Sequence, residues 1–371
     1  MDFALNDDRR MLAETLERFL SDNYDIEKRH GFAMMDDGFS KQMWEKFAEL
    51  GIIGALFDEK AGGFGGEGAD LMVVFEALGR HLVVEPFLPT LMAGTILAGA
   101  GGQEALLEQV INGETAIALA HGEPSSRYEL ASVSSIAEQS GKEWIINGDK
   151  SVVLGGSAAT QLVVSARTTG EADSENGISL FLVEATNGVT KRNYSTINGY
   201  GAAELKLENA SGILLGEVDQ GYKLLERAYA AGIVAISAEA LGAMHVATDL
   251  TVEYTRQRKQ FGIPIGKFQA LQHRMADMLI ELEQMRSSVM NAAGNLDKDR
   301  LDREKEISAC KHLVGTIGRQ VAEEAIQIHG GMGMTWEYAV GHFAKHIIMI
   351  DHVLGDTDHH LERYIALGRN T

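Results

Sequence analysis

The sequence predicts an α+β protein of several domains: an N-terminal all-α domain, a middle antiparallel β-barrel or sandwich, and a C-terminal four-helix bundle. Three observations predict it. Apolar residues recur at helical spacing in the first third, short apolar runs between turn residues fill the middle, and long helical segments fill the rest of the 371 residues. We place the domains at 1–112, 113–217 and 218–371.

The first third contains helix start and stop signals. Apolar residues within Leu12–Leu20 recur at helical spacing after Asn6, which suits an N-cap, and Ser40 is placed to cap a second helix that ends at Gly51. The stretch Gly63–Gly68 matches the dinucleotide pattern G-x-G-x-x-G. It follows no predicted strand, so we interpret it as a glycine-rich loop between helices.

The middle third changes to short apolar or alternating runs separated by turn signals such as Asn147-Gly148. No segment of helical length interrupts them, which favours an antiparallel β domain over βαβ units. The runs are 116–120, 144–146, 152–154, 162–164, 178–183 and 205–207.

The last third returns to helix. Three long segments, about 222–258, 268–296 and 303–329, are separated by breaks at Gly262–Pro264 and near Asn295. Long helices joined by short connections predict an antiparallel bundle.

Composition excludes several functional classes. The 33 basic and 53 acidic residues give a net charge of −20, which argues against nucleic acid and anionic membranes as partners. The longest apolar run, 229–238, is far shorter than the ~20 residues of a membrane span. The start of the chain lacks the pattern of a signal peptide, and Cys310 is the single cysteine. We therefore expect a cytoplasmic protein.

Two segments in the last third are candidates for ligand binding. Within Gln257–Gln269, Arg258 and Gln260 suit phosphate oxygens and Phe261 could cover an aromatic ring. The alternative is a helix C-terminus whose basic residues complement its dipole. Within Gln327–Met334, glycines allow close backbone approach to a ligand, or form a plain helix C-cap.

Histidines near the C-terminus suggest a metal site only weakly. His342 and His346 stand four residues apart, but no third ligand is predicted to converge on them. We predict no metal.

Taken together, the chain resembles the acyl-CoA dehydrogenase family of flavoenzymes over essentially its whole length. The α–β–α order and five segments carry the resemblance. These segments are Gly62–Gly65, Glu123–Pro124, Trp144–Lys150, Arg258–Gln269 and Gln327–Gly333.

The resemblance implies a chemistry and an assembly. A carboxylate removes the α-proton of an acyl-CoA thioester while the β-hydrogen leaves as hydride to FAD, and an electron-transfer flavoprotein accepts the electrons. Family members are usually tetramers in which one chain holds the flavin ring and a neighbour holds the ADP half.

The two halves of that shared site differ in this sequence. The residues that the resemblance assigns to the ADP half are all present: Arg258, Gln260, Phe261, Gln327, Gly330 and Gly331. The ring half departs from the family pattern at five positions. Gly122, Val152 and Leu154 stand where the resemblance implies side chains that bond or pack on the flavin. Ala230 and Ile233 stand where the family commonly has an Asp and an Arg.

The usual catalytic glutamate is also missing. Ungapped alignment from Gln327 places Leu354 at its position, and the other position used in the family falls on Gly232. Glu239 and Asp356 are possible substitutes. The alternative is that Glu239 pairs inside the bundle and Asp356 caps the following helix.

These departures suggest a division of labour. The leading hypothesis is a subunit of an α2β2 acyl-CoA dehydrogenase that supplies the ADP half to a homologous partner holding the ring and the base. The alternatives are a self-sufficient homotetramer that uses Glu239 or Asp356, and a structural subunit without flavin.

Overall fold

The computed structural model describes residues 6–141 and 143–369. Two N-terminal helices begin where the capping residues predict: Asn6 Oδ1 accepts from Arg9 N at 2.8 Å, and Ser40 Oγ accepts from Met43 N at 3.2 Å. The helix that Ser40 caps is the third rather than the second, because the short helix Ile26–Ala33 was not predicted. The first six helices are α1 Asp7–Asn23, α2 Ile26–Ala33, α3 Lys41–Glu49, α4 Gly68–His81, α5 Phe87–Ala100 and α6 Glu104–Ile111.

The glycine-rich stretch before α4 is a loop between helices, as predicted. A Cβ at Gly63 or Gly65 would overlap the carbonyl oxygens of Phe57 or Ala55, so the loop needs glycine in order to fold tightly on itself.

The middle segment forms a barrel-like sheet. The pairings close a ring in the order β2, β3, β7, β5, β4 and back to β2, with β1 beside β4 and β6 beside β7. Ile146, Val164 and Phe181 are among the side chains that fill its interior. The strands are β1 Ile117–Ala120, β2 Ile136–Ser140, β3 Glu143–Leu154, β4 Gln161–Arg167, β5 Ile178–Glu184, β6 Val189–Ser195 and β7 Gly201–Leu215.

The sheet differs from the sequence-based prediction in two respects. The pairing of β1 with β4 is parallel, and so is the single contact between β2 and β4. The strands β2 and β6 were not predicted, because most of their residues face solvent and they contain no apolar run.

The last segment is helical, as predicted. It comprises α7 Gly221–Gln257, the two-residue strands β8 Lys259–Gln260 and β9 Ile263–Pro264, α8 Gln269–Asn295, α9 Arg300–His329, α10 Val340–Asp351 and α11 Thr357–Arg369. Within the described residues, α7 is long and apolar enough to cross a membrane, but 89% of its most apolar window is buried in the protein. Buried core helices of soluble proteins meet the same criterion, so the length and hydropathy of α7 are only weak evidence for a membrane-spanning helix.

The chain divides into two compact units. Among the described residues, one comprises 6–29, 68–83 and 233–369, and the other comprises 30–67, 84–141 and 143–232. In the first unit, α4 and α7 approach closely at two glycines: a Cβ at Gly79 would overlap Glu239 O, and one at Gly242 would overlap Glu76 O. The predicted boundaries at 112 and 217 remain predictions.

Candidate functional site

The end of α7 presents an exposed aromatic side chain on a tight hairpin. Arg258 N donates to Tyr254 O at 2.8 Å, and Ile265 N donates to Arg258 O at 2.8 Å across the β8–β9 pair. Phe261 lies at the tip with φ +53° and is 92% exposed. Arg258 and Gln260 are exposed as well. The hairpin therefore directs three of the predicted ligand-binding side chains outward.

The second predicted segment closes α9 and lies beside the end of α7. The His329 ring stacks on the Tyr254 ring with centroids 4.4 Å apart, which brings the two helix ends together. Gln327, Gly330 and Gly331 are exposed. A Cβ at either glycine would meet no heavy atom within 4 Å, so the backbone there is open to a ligand.

The exposed residues of these two segments form what we call the ADP-side surface: Arg258, Gln260, Phe261, Gln327, Gly330 and Gly331. Its chemistry suits an anionic nucleotide. A guanidinium fork suits phosphate oxygens, an exposed phenyl ring suits an aromatic base, and open glycine backbone permits close approach. The six residues predicted for the ADP half thus lie on one unit in two neighbouring segments, and their role in binding remains a prediction.

Three of the positions predicted to face the flavin ring, Gly122, Val152 and Leu154, have no polar side chain. Gly122 O accepts from Ser151 N at 2.8 Å, and Val152, at φ +51°, donates its backbone N–H to Glu204 Oε1 at 3.2 Å. A positive φ is a genuine outlier for a β-branched residue. Gly122, Val152 and Leu154 have no side-chain hydrogen-bonding group, so their side chains do not fit the hydrogen-bonding half of a flavin ring.

A buried ion pair is formed by two residues that lie close to these positions in the chain, Glu123 and Lys150. Lys150 Nζ lies 2.7 Å from Glu123 Oε1, and the two side chains are 0% and 3% exposed. The remaining Glu123 acceptor sites bond Ser134 N at 2.7 Å, Ser135 N at 3.0 Å and Ser135 Oγ at 2.7 Å. Lys150 also donates to Ser165 Oγ at 3.2 Å. Sequence reasoning placed both residues in family-like segments but missed the pair, since the two lie 27 positions apart in the chain.

Burial and charge shift the pKa values of this network. Burial raises the pKa of Glu123, but the Lys150 ammonium and the Ser135 donors outweigh it and bring the pKa to about 2. Burial lowers the pKa of Lys150 to about 8, against the attraction of Glu123. Burial also lowers the pKa of His121 to about 3, helped by Lys150. Both members of the pair are therefore charged at neutral pH and His121 is neutral.

The two candidate substitute bases are engaged in structural contacts. Glu239 Oε1 lies 2.9 Å from His346 Nε2, with both side chains buried. Asp356 Oδ1 accepts from His359 N at 2.9 Å and caps α11. These are the contacts that the structural alternative predicted. Leu354, between α10 and α11, adopts φ +60° and is partly buried.

His342 and His346 are both buried. His342 Nε2 lies 2.8 Å from Trp336 O, and His346 faces Glu239. Across 6–141 and 143–369, no group of three or more His, Cys, Asp or Glu side chains is arranged to hold a metal ion.

Comparison with known families and proteins agrees with this architecture. Models of the acyl-CoA dehydrogenase N-terminal, middle and C-terminal domains match residues 6–114, 118–210 and 219–365. The rat mitochondrial long-chain specific acyl-CoA dehydrogenase (Rattus norvegicus) is 30% identical over 81% of this chain and 73% of its own length.

Two further relatives cover nearly the whole chain. A probable acyl-CoA dehydrogenase of Bacillus subtilis, YngJ, is 29% identical over 92% of both chains. The solved structure of a variant of the Tcur3481-Tcur3483 steroid ACAD superposes with a TM-score of 0.89 at 27% identity, covering 98% of each chain. The chain therefore belongs to the acyl-CoA dehydrogenase family of flavin-dependent oxidoreductases, which act on CH–CH bonds.

Proposed function

We propose that this chain is the subunit of an α2β2 acyl-CoA dehydrogenase that supplies the ADP-binding half of a shared FAD site. A homologous partner subunit would hold the flavin ring, the acyl-CoA and the catalytic base. Bound FAD would supply the hydride acceptor for α,β-dehydrogenation of the thioester. The observation that carries the proposal is the contrast between an exposed, chemically suitable ADP-side surface and apolar ring-side positions.

The contacts of the two candidate bases, Glu239 and Asp356, support the same proposal. Leu354 cannot accept a proton, Glu239 faces His346, and Asp356 caps α11. A general base must reach the proton that it abstracts, and a carboxylate held by its own fold is poorly placed for that task. These contacts disfavour a self-sufficient homotetramer that uses either residue.

The relatives support a paired arrangement. The solved steroid ACAD at 27% identity is named for two components, Tcur3481 and Tcur3483. Within this sequence, Glu123–Tyr128, Arg258–Gly262 and Gly355–His360 resemble the small subunit of pimeloyl-CoA dehydrogenase. We extend the proposal to a cytoplasmic location and to an electron-transfer flavoprotein as electron acceptor.

Replacement of Arg258 tests the ADP-side role. In the co-expressed complex, we expect Arg258→Ala to weaken FAD binding about 10- to 100-fold, because a charged hydrogen bond contributes roughly 1.5–3 kcal/mol. The matched control is Arg256→Ala, which removes an exposed arginine two residues earlier that lies 3.8 Å from Glu253. FAD retention would be measured by equilibrium dialysis and flavin absorbance.

Two outcomes would contradict the proposed role. One is equal FAD affinity in the Arg258→Ala complex and the parent complex. The other is an equal loss in both arginine variants, which would indicate a general charge effect. A complex that carries no flavin before any substitution would instead favour the structural-subunit alternative.

A further inference from the structure

The turn between α10 and α11 is built around a lysine with no exposed surface. Lys311 lies on α9 and is 0% exposed. Its Nζ donates to Asp351 O at 2.9 Å and to Gly355 O at 2.7 Å. These two oxygens stand at the end of α10 and just before α11. One amino group therefore bridges both ends of the turn. It also gives a donor to Asp351 O, one of the last carbonyls of α10, which have no partner within the helix.

The surface of α9 is shaped to receive this turn. Gly315 lies one helical turn after Lys311, and a Cβ there would overlap Thr357 Oγ1 and Asp351 Oδ1. Asp351 Oδ1 in turn accepts from Thr357 N at 3.1 Å and from Thr357 Oγ1 at 2.8 Å. The missing side chain at 315 lets the turn approach α9 closely enough for Lys311 to reach both carbonyls.

The residue held inside the turn is in an unfavourable conformation. Leu354 adopts φ +60°, in the left-handed region that glycine favours, and Gly355 follows at φ +111°. His360 Nε2 donates to Leu354 O at 2.9 Å. Such a backbone persists only where its surroundings determine it, and here contacts from α9 and α11 surround it.

We propose that Lys311 is a positioning residue for this turn: by clamping the Asp351 and Gly355 carbonyls it fixes the left-handed conformation at position 354. Position 354 is where the resemblance places the base of catalytic relatives. In this chain the clamp therefore holds a leucine at that position in one backbone conformation. The inference concerns this chain's own residues and does not depend on the proposed α2β2 assembly.

The charges around the amino group are consistent with a clamp. Burial lowers the pKa of Lys311 to about 8, against the attraction of the Asp351 and Asp356 carboxylates. Burial lowers the pKa of His360 to about 3, helped by Lys311. At neutral pH the lysine is therefore mainly charged and the histidine is neutral, so the two groups do not repel each other.

Hydrogen exchange of the full chain, followed by mass spectrometry, tests the proposal. In Lys311→Met, we expect amides within 352–358 to exchange at least tenfold faster than in the parent. The matched control is Arg363→Met, which removes the 2.8 Å contact from Arg363 Nη2 to Glu304 Oε2 and so loosens α11 on α9 away from the turn. That variant should lower the melting temperature but leave exchange within 352–358 unchanged.

Unchanged exchange of the turn in Lys311→Met would overturn the proposal. Equal acceleration in both variants would also overturn it, because it would show only general loss of packing. If Lys311→Met does not fold, Lys311→Gln takes its place, since the shorter amide keeps N–H donors but lacks the reach of lysine. Faster exchange confined to 352–358 then supports the clamp, and exchange equal to the parent contradicts it.

Discussion

At the scale of single residues, the middle domain contains a buried pair of opposite charges. Glu123 and Lys150 lie 2.7 Å apart, and the donors of Ser134 and Ser135 complete the carboxylate's hydrogen bonds. Removing one partner leaves the other charge buried without compensation, which costs far more than losing a surface pair.

We expect Lys150→Met to lower the free energy of unfolding by about 3–5 kcal/mol, because Glu123 would remain buried without its counter-ion. Urea denaturation followed by circular dichroism measures the change. The control is Lys206→Met, which breaks an exposed pair with Glu208 at 2.7 Å and should cost no more than about 1 kcal/mol. Equal losses in both variants would argue against a special role for the buried pair.

Buried histidines predict acid sensitivity. Burial lowers the pKa of His121 and of His360 to about 3, so between pH 6.5 and 3 the unfolded chain binds more protons at these residues than the folded chain does. Stability must then fall as pH falls through that window, by about 2 kcal/mol per histidine between pH 7 and 5. Glu123, with its pKa lowered to about 2, adds a further loss below about pH 4.5.

Urea midpoints measured at pH 7, 6 and 5 check this expectation. His121→Asn should flatten the decline with pH, because the residue that takes up a proton on unfolding is gone. His273→Asn serves as control, since His273 is exposed. An unchanged pH slope in His121→Asn would show that His121 does not contribute.

At the scale of elements, capping residues and periodicity predicted helices better than strands. Asn6 and Ser40 cap the helices assigned to them, because a cap acts locally and is visible in the sequence. The strands β2 and β6 were not predicted, because pairing with neighbouring strands stabilises them and they contain no apolar run. In β2, for example, Ala137 is the single buried residue.

The close crossing of α4 and α7 yields a prediction at this scale. Gly242→Ala should destabilise the protein by about 1–3 kcal/mol, because the new methyl group would overlap Glu76 O and force the helices apart. Gly31→Ala is the control, since no heavy atom lies within 4 Å of a Cβ at that position in α2. It should stabilise the protein by about 0.5–1 kcal/mol. Thermal melts of both variants distinguish the two effects.

At the scale of the whole molecule, the α–β–α order and a few segments sufficed to predict the family. The candidate site was predictable only in part. The ADP-side residues belong to two short segments, whereas the Glu123–Lys150 pair and the Lys311 turn join residues that lie 27 and 44 positions apart. Such pairings depend on tertiary packing, which neither periodicity nor local motifs encode.

We propose that this chain contributes the ADP half of a shared flavin site. The decisive measurement is flavin absorbance per chain, recorded on the chain expressed alone and co-expressed with a homologous partner subunit. We predict a colourless chain alone, and a complex that holds close to one FAD per two chains and bleaches on addition of acyl-CoA. One FAD per chain, with bleaching by the chain alone, would show instead that this chain is a self-sufficient dehydrogenase.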